Sequence, residues 1–150
     1  MKDLVVVILL NYNQNEYTLK CVDSLLKSDY KPFKIFLIDN GSTRENVDYL
    51  SRELPEDDRL IFKKIENNIG YGKGSNYGMA EGMKLNPDYF LMMNNDTIID
   101  DQAIKELVKT SKDYNDKALV TGKVYHYDEP DKLQFVGFKC VKNKTLSFIR

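Results

Sequence analysis

Leu4-Val-Val-Val-Ile-Leu-Leu10 is an unbroken aliphatic run, and its reading decides the fold. A strand with one wet face alternates apolar and polar side chains. A run without alternation suits a strand covered on both faces, as in a parallel sheet. Asn11-Tyr-Asn13 breaks the run, and Leu19, Val22, Leu25 and Leu26 then recur at helical spacing. That spacing predicts an amphipathic helix over Asn15–Lys27. After Pro32, Lys34-Ile-Phe-Leu-Ile-Asp39 reads as a second strand, followed by a turn at Gly41-Ser-Thr43. Val47, Leu50 and Leu54 predict a second helix closed by Pro55. Leu60–Ile65 reads as a third strand, and Asn67–Gly74 as a loop. Tyr77, Ala80 and Met83 predict a third helix starting near Gly74 or Ser75. Tyr89-Phe-Leu-Met-Met93 is a fourth strand running into Asn94-Asn-Asp-Thr97. Ile104, Leu107, Val108 and Ser111 give a fourth helix behind Asp100-Asp101, an acidic start that suits a helix dipole.

Strand and helix thus alternate to about residue 112. This pattern predicts an α/β fold: a mostly parallel sheet flanked by helices and joined by right-handed crossovers. Beyond it, Ala118–Tyr127 and Leu133–Ile149 read as short extra strands, with turns at Asp128-Glu-Pro130 and Lys142-Asn-Lys144.

Composition narrows the function classes. The 150 residues are 42% hydrophobic and 30% charged, which suits one globular domain with a core. The net charge of −1 gives no field that would draw nucleic acid, so no nucleic-acid partner is expected. Leu4–Leu10 is too short to span a bilayer and lacks the flanks of a signal peptide, so no membrane span is expected in this chain. Cys21 and Cys140 lie far apart and outside any zinc-ligand spacing, and Cys21 falls among helical apolar positions as a buried free thiol.

In open α/β sheets a ligand binds beyond the carboxyl ends of the strands. Four polar clusters stand at those ends here: Asn11-Tyr-Asn13, Asp39-Asn-Gly41, Asn67 to Asn76, and Asn94-Asn-Asp96. The first strand leads to no G-x-G-x-x-G, which excludes a nicotinamide site of the usual kind. Lys73 is followed by Gly74 rather than Ser or Thr, so the glycine-rich stretch is no Walker A loop. No Ser or Cys sits in a nucleophile elbow.

Taken in order, Val5-Val-Val-Ile-Leu-Leu-Asn-Tyr-Asn13, Leu37-Ile-Asp-Asn-Gly-Ser42, Asn68-Ile-Gly-Tyr-Gly-Lys-Gly-Ser-Asn76 and Phe90-Leu-Met-Met-Asn-Asn-Asp-Thr97 resemble the successive motifs of family 2 glycosyltransferases. The match is collinear and covers about residues 4–112. The Asn-Asn-Asp-Thr form resembles the branch that includes rhamnosyltransferase-like proteins. The resemblance implies a GT-A fold and transfer of a sugar from a UDP- or dTDP-sugar to an acceptor hydroxyl, with inversion and a divalent metal, Mn²⁺ or Mg²⁺.

It also implies roles. Asn11, Tyr12 and Asn13 would border the nucleotide, with Tyr12 against the base. Asp39 would accept the imide N–H of uracil or thymine. Gly70, Gly72 and Gly74 would admit the ribose or phosphates closely, and Asn76 and Asn95 would face the nucleotide. Asp96 matches the family's metal-binding acid, with Asn94 where many members have Asp. A hard cation prefers carboxylate oxygen and neutralises the leaving diphosphate. Each role has an ordinary alternative. Tyr12 could simply pack, Asp39 and Asp96 could cap turns, the glycines could serve a turn, and Asn76 could be a surface residue. His126, the Glu56-Asp57-Asp58 run and the Tyr125/Tyr127 pair read as structural or solvated.

The family's general base is expected beyond Arg150. The chain is therefore read as one glycosyltransferase domain truncated at its C-terminal side, inactive by itself. Residues 1–112 would form the nucleotide-binding units, and 113–150 the start of the acceptor side. Its expected partners are a nucleotide-sugar donor and a glycan or lipid-linked acceptor. The expected location is cytoplasmic, with membrane association in a longer parent protein. A non-catalytic nucleotide-sugar-binding module and a nucleotidyltransferase are the rival readings. The latter lacks its usual glycine-rich loop and basic residue after the first strand.

Overall fold

A computed structural model describes residues 3–141 and 144–149, with side chains described through residue 137. The chain divides into two compact units, Met1–Gln102 and Ala103–Arg150.

The first unit is a four-stranded parallel sheet. Its strands are β1 (Val5–Asn11), β2 (Phe33–Asn40), β3 (Leu60–Ile65) and β4 (Tyr89–Asn94), in the spatial order β3-β2-β1-β4. The unbroken aliphatic run occupies β1 at the centre, where Val6, Val7 and Leu9 are fully buried. Three helices link the strands: α1 (Asn15–Leu26), α2 (Arg44–Glu53) and α3 (Tyr71–Met83). Right-handed crossovers put α1 and α2 on one face, because both connections step in the same direction across the sheet. The return from β3 to β4 puts α3 on the other. Val6, Ile8, Phe36 and Ile38 form the core beneath α3, joined by Leu10, Ile61, Met79 and Phe90. The intervening side chains, Val5, Val7, Leu9, Ile35 and Leu37, point to the opposite face by strand alternation.

In the first unit two features differ from the sequence reading. First, α3 begins at Tyr71, ahead of the expected start at Gly74 or Ser75, so Gly72 and Gly74 lie inside a helix rather than in a loop. Glycine is a poor helix former, which made the first turn read as loop. Close packing overrides that preference here. A Cβ on Gly74 would fall 2.8 Å from Leu10 Cδ1, one on Gly78 2.9 Å from Ile8 Cγ2, and one on Gly82 2.8 Å from Val6 Cγ1. The stripe of glycines lets the helix backbone rest on the sheet. Second, the buried face of α1 is Asn15, Thr18, Cys21, Val22, Ser24 and Leu25, rotated toward polar residues relative to the leucine stripe.

The second unit holds α4 (Ala103–Asp113) and two antiparallel pairs, β5 (Val124–Tyr125) with β6 (Leu133–Phe135) and β7 (Gly137–Val141) with β8 (Lys144–Ile149). The expected strand over Ala118–Tyr127 is reduced to its last part, because only Val124 and Tyr125 find ladder partners there. Residues 142 and 143 of the expected turn, the Cys140 side chain and Arg150 lie outside the described residues. Among the described residues no helix is long and apolar enough to cross a membrane.

Candidate functional site

Parallel pairing in register brings Asn11 opposite Asp39 at the carboxyl ends of β1 and β2. Both are fully buried. Asn11 Nδ2 donates to Asp39 Oδ2 at 2.8 Å, and the same oxygen accepts from Ser42 Oγ at 2.6 Å. Asp39 Oδ1 accepts from the Ser42 backbone N–H at 2.9 Å. The carboxylate is thus held by three donors and anchors the turn after β2, the arrangement named above as its ordinary alternative. A buried charge is stable only when its oxygens are satisfied in this way.

The network extends outward. Ser42 Oγ accepts from the Asn13 backbone N–H at 2.8 Å. Asn13 Oδ1 accepts from the Thr43 N–H at 2.9 Å and from Asn46 Nδ2 at 3.2 Å. Asn13 has φ 54°, a left-handed conformation that asparagine tolerates better than most residues. The segment carrying Tyr12 is therefore pinned on its far side by Asn13, while Tyr12 itself stays 48% exposed.

The loop after β3 is seated by Asn40. Its Nδ2 donates to Asn68 Oδ1 at 3.1 Å, and its Oδ1 accepts from the Ile69 N–H at 3.3 Å. Asn68 Oδ1 also accepts from the Gly70 N–H at 2.9 Å. Gly70 has φ 83°, and neither it nor Gly72 has any atom within 4 Å of an added Cβ. These two glycines face open space at the start of α3, whereas Gly74 is buried against Leu10 and Asn40. Asn76 is exposed on α3.

Beyond β4, Asn95 Nδ2 donates to Thr18 Oγ1 at 2.8 Å, and Tyr71 Oη donates to Asn94 Oδ1 at 3.3 Å. Asp96 is exposed and accepts no hydrogen bond among the described residues. Among those residues no group of three or more His, Cys, Asp or Glu gathers as a metal cage. A cation at Asp96 would thus rest on one carboxylate. That suits Mg²⁺ or Mn²⁺, which are commonly held by one or two carboxylates with substrate phosphates completing the shell.

Cys21 lies beneath this end of the sheet, its Sγ 3.7 Å from the Asn94 carbonyl oxygen. Burial pushes its thiol from 9.0 up to about 12, a Thr97 backbone hydrogen bond opposes the rise, and the Asp96 charge adds to it. The folded value is raised, so the stability it confers is full below pH 9.0 and is lost as pH climbs toward about 12. In a Cys140→Ser chain at pH 8, Cys21 is expected to resist a disulfide reagent until denaturant unfolds the domain. Prompt labelling of the folded chain would show this contact to be open.

The structure brings Asn11, Tyr12, Asn13, Asp39, Asn95 and Asp96 to the ends of three neighbouring strands, with Gly70 and Gly72 at the start of α3. Sequence reasoning missed Thr18, Asn40 and Ser42 as organisers. Thr18 left a faint signal, a polar residue one helical turn before Cys21 and Val22. His126 lies in the second unit, its N–H donating to the Lys132 carbonyl across the β5–β6 turn at 3.0 Å.

Residues 6–145 match the family model described as Glycosyl transferase family 2. The chain is similar to glycosyltransferase GlyG of Streptococcus pneumoniae, 28% identical over 131 residues, covering 87% of this chain and 42% of that protein. It therefore spans less than half the length of that relative. It is also similar in structure to S. aureus TarS 1-349 in complex with UDP-GlcNAc, with a TM-score of 0.59 and 18% identity over 83% of this chain and 41% of that one. A mannosyltransferase from Pyrobaculum calidifontis in complex with GDP-Man and Mn²⁺ matches with a TM-score of 0.61 and 16% identity, over 74% of this chain and 33% of that one. At these identities the likeness is one of fold: the parallel sheet flanked by helices is that of GT-A glycosyltransferases.

Proposed function

The chain belongs to glycosyl transferase family 2, and from that premise we propose that it binds the donor, a UDP- or dTDP-sugar, for transfer to the hydroxyl of a glycan or lipid-linked acceptor with inversion. The observation that carries this reading is the pairing, on one fixed framework, of two groups that make no hydrogen bond among the described residues. The ring of Tyr12 and the carboxylate of Asp96 both face solvent at the ends of adjacent strands, while the residues between them are consumed in hydrogen bonds.

Tyr12 offers an apolar face on which a base can stack at small entropic cost. Gly70 and Gly72 leave room for ribose or phosphate beside the open end of α3. Asp96, with Asn94 beside it, would hold Mg²⁺ or Mn²⁺ together with the diphosphate. The metal supplies neutralisation of charge on the departing diphosphate. Asn11 and Asn95 hold the two halves of the site together, and Asp39 holds the turn that flanks the base. Recognition of a base through Asp39 demands a local opening on binding, because its carboxylate is closed to solvent. Oδ1, which accepts one hydrogen bond, is then the atom an imide N–H would approach.

The test is a comparison of nucleotides by calorimetry with Mn²⁺ present. UDP and dTDP are expected to bind more tightly than ADP, because a hydrogen bond to a charged acceptor is worth about 1.5–3 kcal/mol, or about 10- to 100-fold in affinity. Equal affinity for ADP would sink the base assignment and leave Asp39 as a turn anchor alone. Failure of every nucleoside diphosphate to bind would sink the donor site itself.

A further inference from the structure

We propose that Thr18 is a positioning residue whose buried hydroxyl fixes the Asn94–Asp96 turn relative to β1, and so sets where the Asp96 carboxylate stands. The inference rests on the reading of Asp96 as the residue that meets the metal.

Thr18 is fully buried on α1. Its Oγ1 accepts from Asn95 Nδ2 at 2.8 Å and lies 2.9 Å from two acceptors, Asn11 Oδ1 and the Gln14 carbonyl. A hydroxyl has one hydrogen to give, so it serves one of these at a time and remains free to accept. The bond to Gln14 is the ordinary back-bond of a helical threonine. The other two reach outside the helix, to β1 and to the turn after β4. One oxygen therefore collects three elements of the sheet end.

Distances show which tether matters. Asn94 is held by the Tyr71 hydroxyl at 3.3 Å in an exposed position and by the Cys21 thiol at 3.7 Å, a weak donor. The second contact of Asn95, to Asn11 Oδ1, is long at 3.5 Å. The 2.8 Å bond to Thr18 is the shortest, and its acceptor is a fully buried residue. Asp96 has no hydrogen bond of its own among the described residues, so its placement follows that of Asn95. The base side has anchors of its own besides Thr18: Asn11 Nδ2 donates to Asp39 at 2.8 Å, and Asn11 Oδ1, which meets Thr18 Oγ1 at 2.9 Å, also accepts the Gln14 N–H at 3.3 Å.

Thr18→Val preserves shape and removes the hydroxyl, and Thr18→Ser restores it. UDP affinity is measured across a Mn²⁺ titration and in EDTA for the parent and both variants, alongside amide hydrogen exchange at residues 95–97 without nucleotide. Thr18→Val is expected to raise the Mn²⁺ midpoint about tenfold, as loss of a group that orients a metal ligand does. UDP binding in EDTA should be little changed, exchange at 95–97 faster, and Thr18→Ser should recover the parent's behaviour. A Thr18→Val protein with the parent's Mn²⁺ midpoint and exchange overturns the proposal. So does an equal loss of UDP binding with and without metal, which marks a general structural defect. If the parent itself shows no Mn²⁺ dependence, the metal reading of Asp96 fails. Exchange then decides the positioning role alone, and unchanged rates refute it.

Discussion

Gly41→Ala is expected to destabilise the first unit by about 2–5 kcal/mol, the sum of a backbone term and a packing term. Gly41 has φ 80°, and an L-residue there carries about 1–2 kcal/mol of steric strain. Its added Cβ would lie 2.3 Å from Asn68 N, 2.4 Å from Asn67 C and 2.8 Å from Asn67 Cα. These are backbone atoms, which cannot rotate out of the way as a side-chain tip can. Either the turn after β2 or the loop after β3 must move, and Asn40 ties the two together through Asn68 and Ile69. Gly70→Ala supplies the internal control. Its φ is 83° but nothing lies within 4 Å of its Cβ, so it carries the strain term alone. Urea unfolding of both variants separates the contributions. A Gly41→Ala chain no less stable than Gly70→Ala would show that the two loops do not touch as described.

Those close approaches bear on how much a sequence discloses. The central strand was legible because an apolar run bounded by turn residues has few alternative readings; Leu60–Ile65, though it holds Lys63 and Lys64, also occupies the span its sequence predicts. The start of α3 was not. Helix propensity is a local quantity, and the reason glycine is tolerated at Gly74 and Gly78 lies in Leu10, Ile8 and Ile38, far away in the chain. The polar end of the sheet was half legible. Position after an apolar strand singled out Asn11, Asp39 and Asn95, yet nothing in their spacing says that Thr18 and Ser42 share their hydrogen bonds. A scan for apolar periodicity passes over buried hydroxyls, so it drew the inner face of α1 through its leucines. Asp39 shows the consequence: its residue type suggested a ligand contact, and its surroundings show a carboxylate already shared among Asn11 and Ser42. Tyr12 and Asp96 are exposed at their strand ends, as a polar cluster after an apolar strand leads one to expect.

Asp96→Asn is expected to abolish the metal dependence of nucleotide binding while leaving the fold intact. The side chain is exposed and takes part in no hydrogen bond among the described residues, so the near-isosteric amide should change stability by no more than about 0.5 kcal/mol. Binding is another matter. Asp96 is the only carboxylate of the Asn94–Asp96 turn, so its loss leaves a cation with neutral amide oxygens and the diphosphate. Groups that merely orient a metal ligand cost about 10- to 100-fold when removed, and the loss of the ligand itself should reach the upper end or beyond. UDP affinity with Mn²⁺ should therefore fall to the value seen in EDTA. A turn-capping role predicts otherwise, since Asn caps as well as Asp and neither stability nor binding would move. Asn94→Asp tests the same idea from the other side. A second carboxylate beside a cation should tighten Mn²⁺-dependent binding, whereas beside bare phosphates its repulsion should weaken binding in EDTA. Opposite signs in the two conditions would place the metal at this turn. An Asp96→Asn protein that binds UDP with the parent's metal dependence would place it elsewhere.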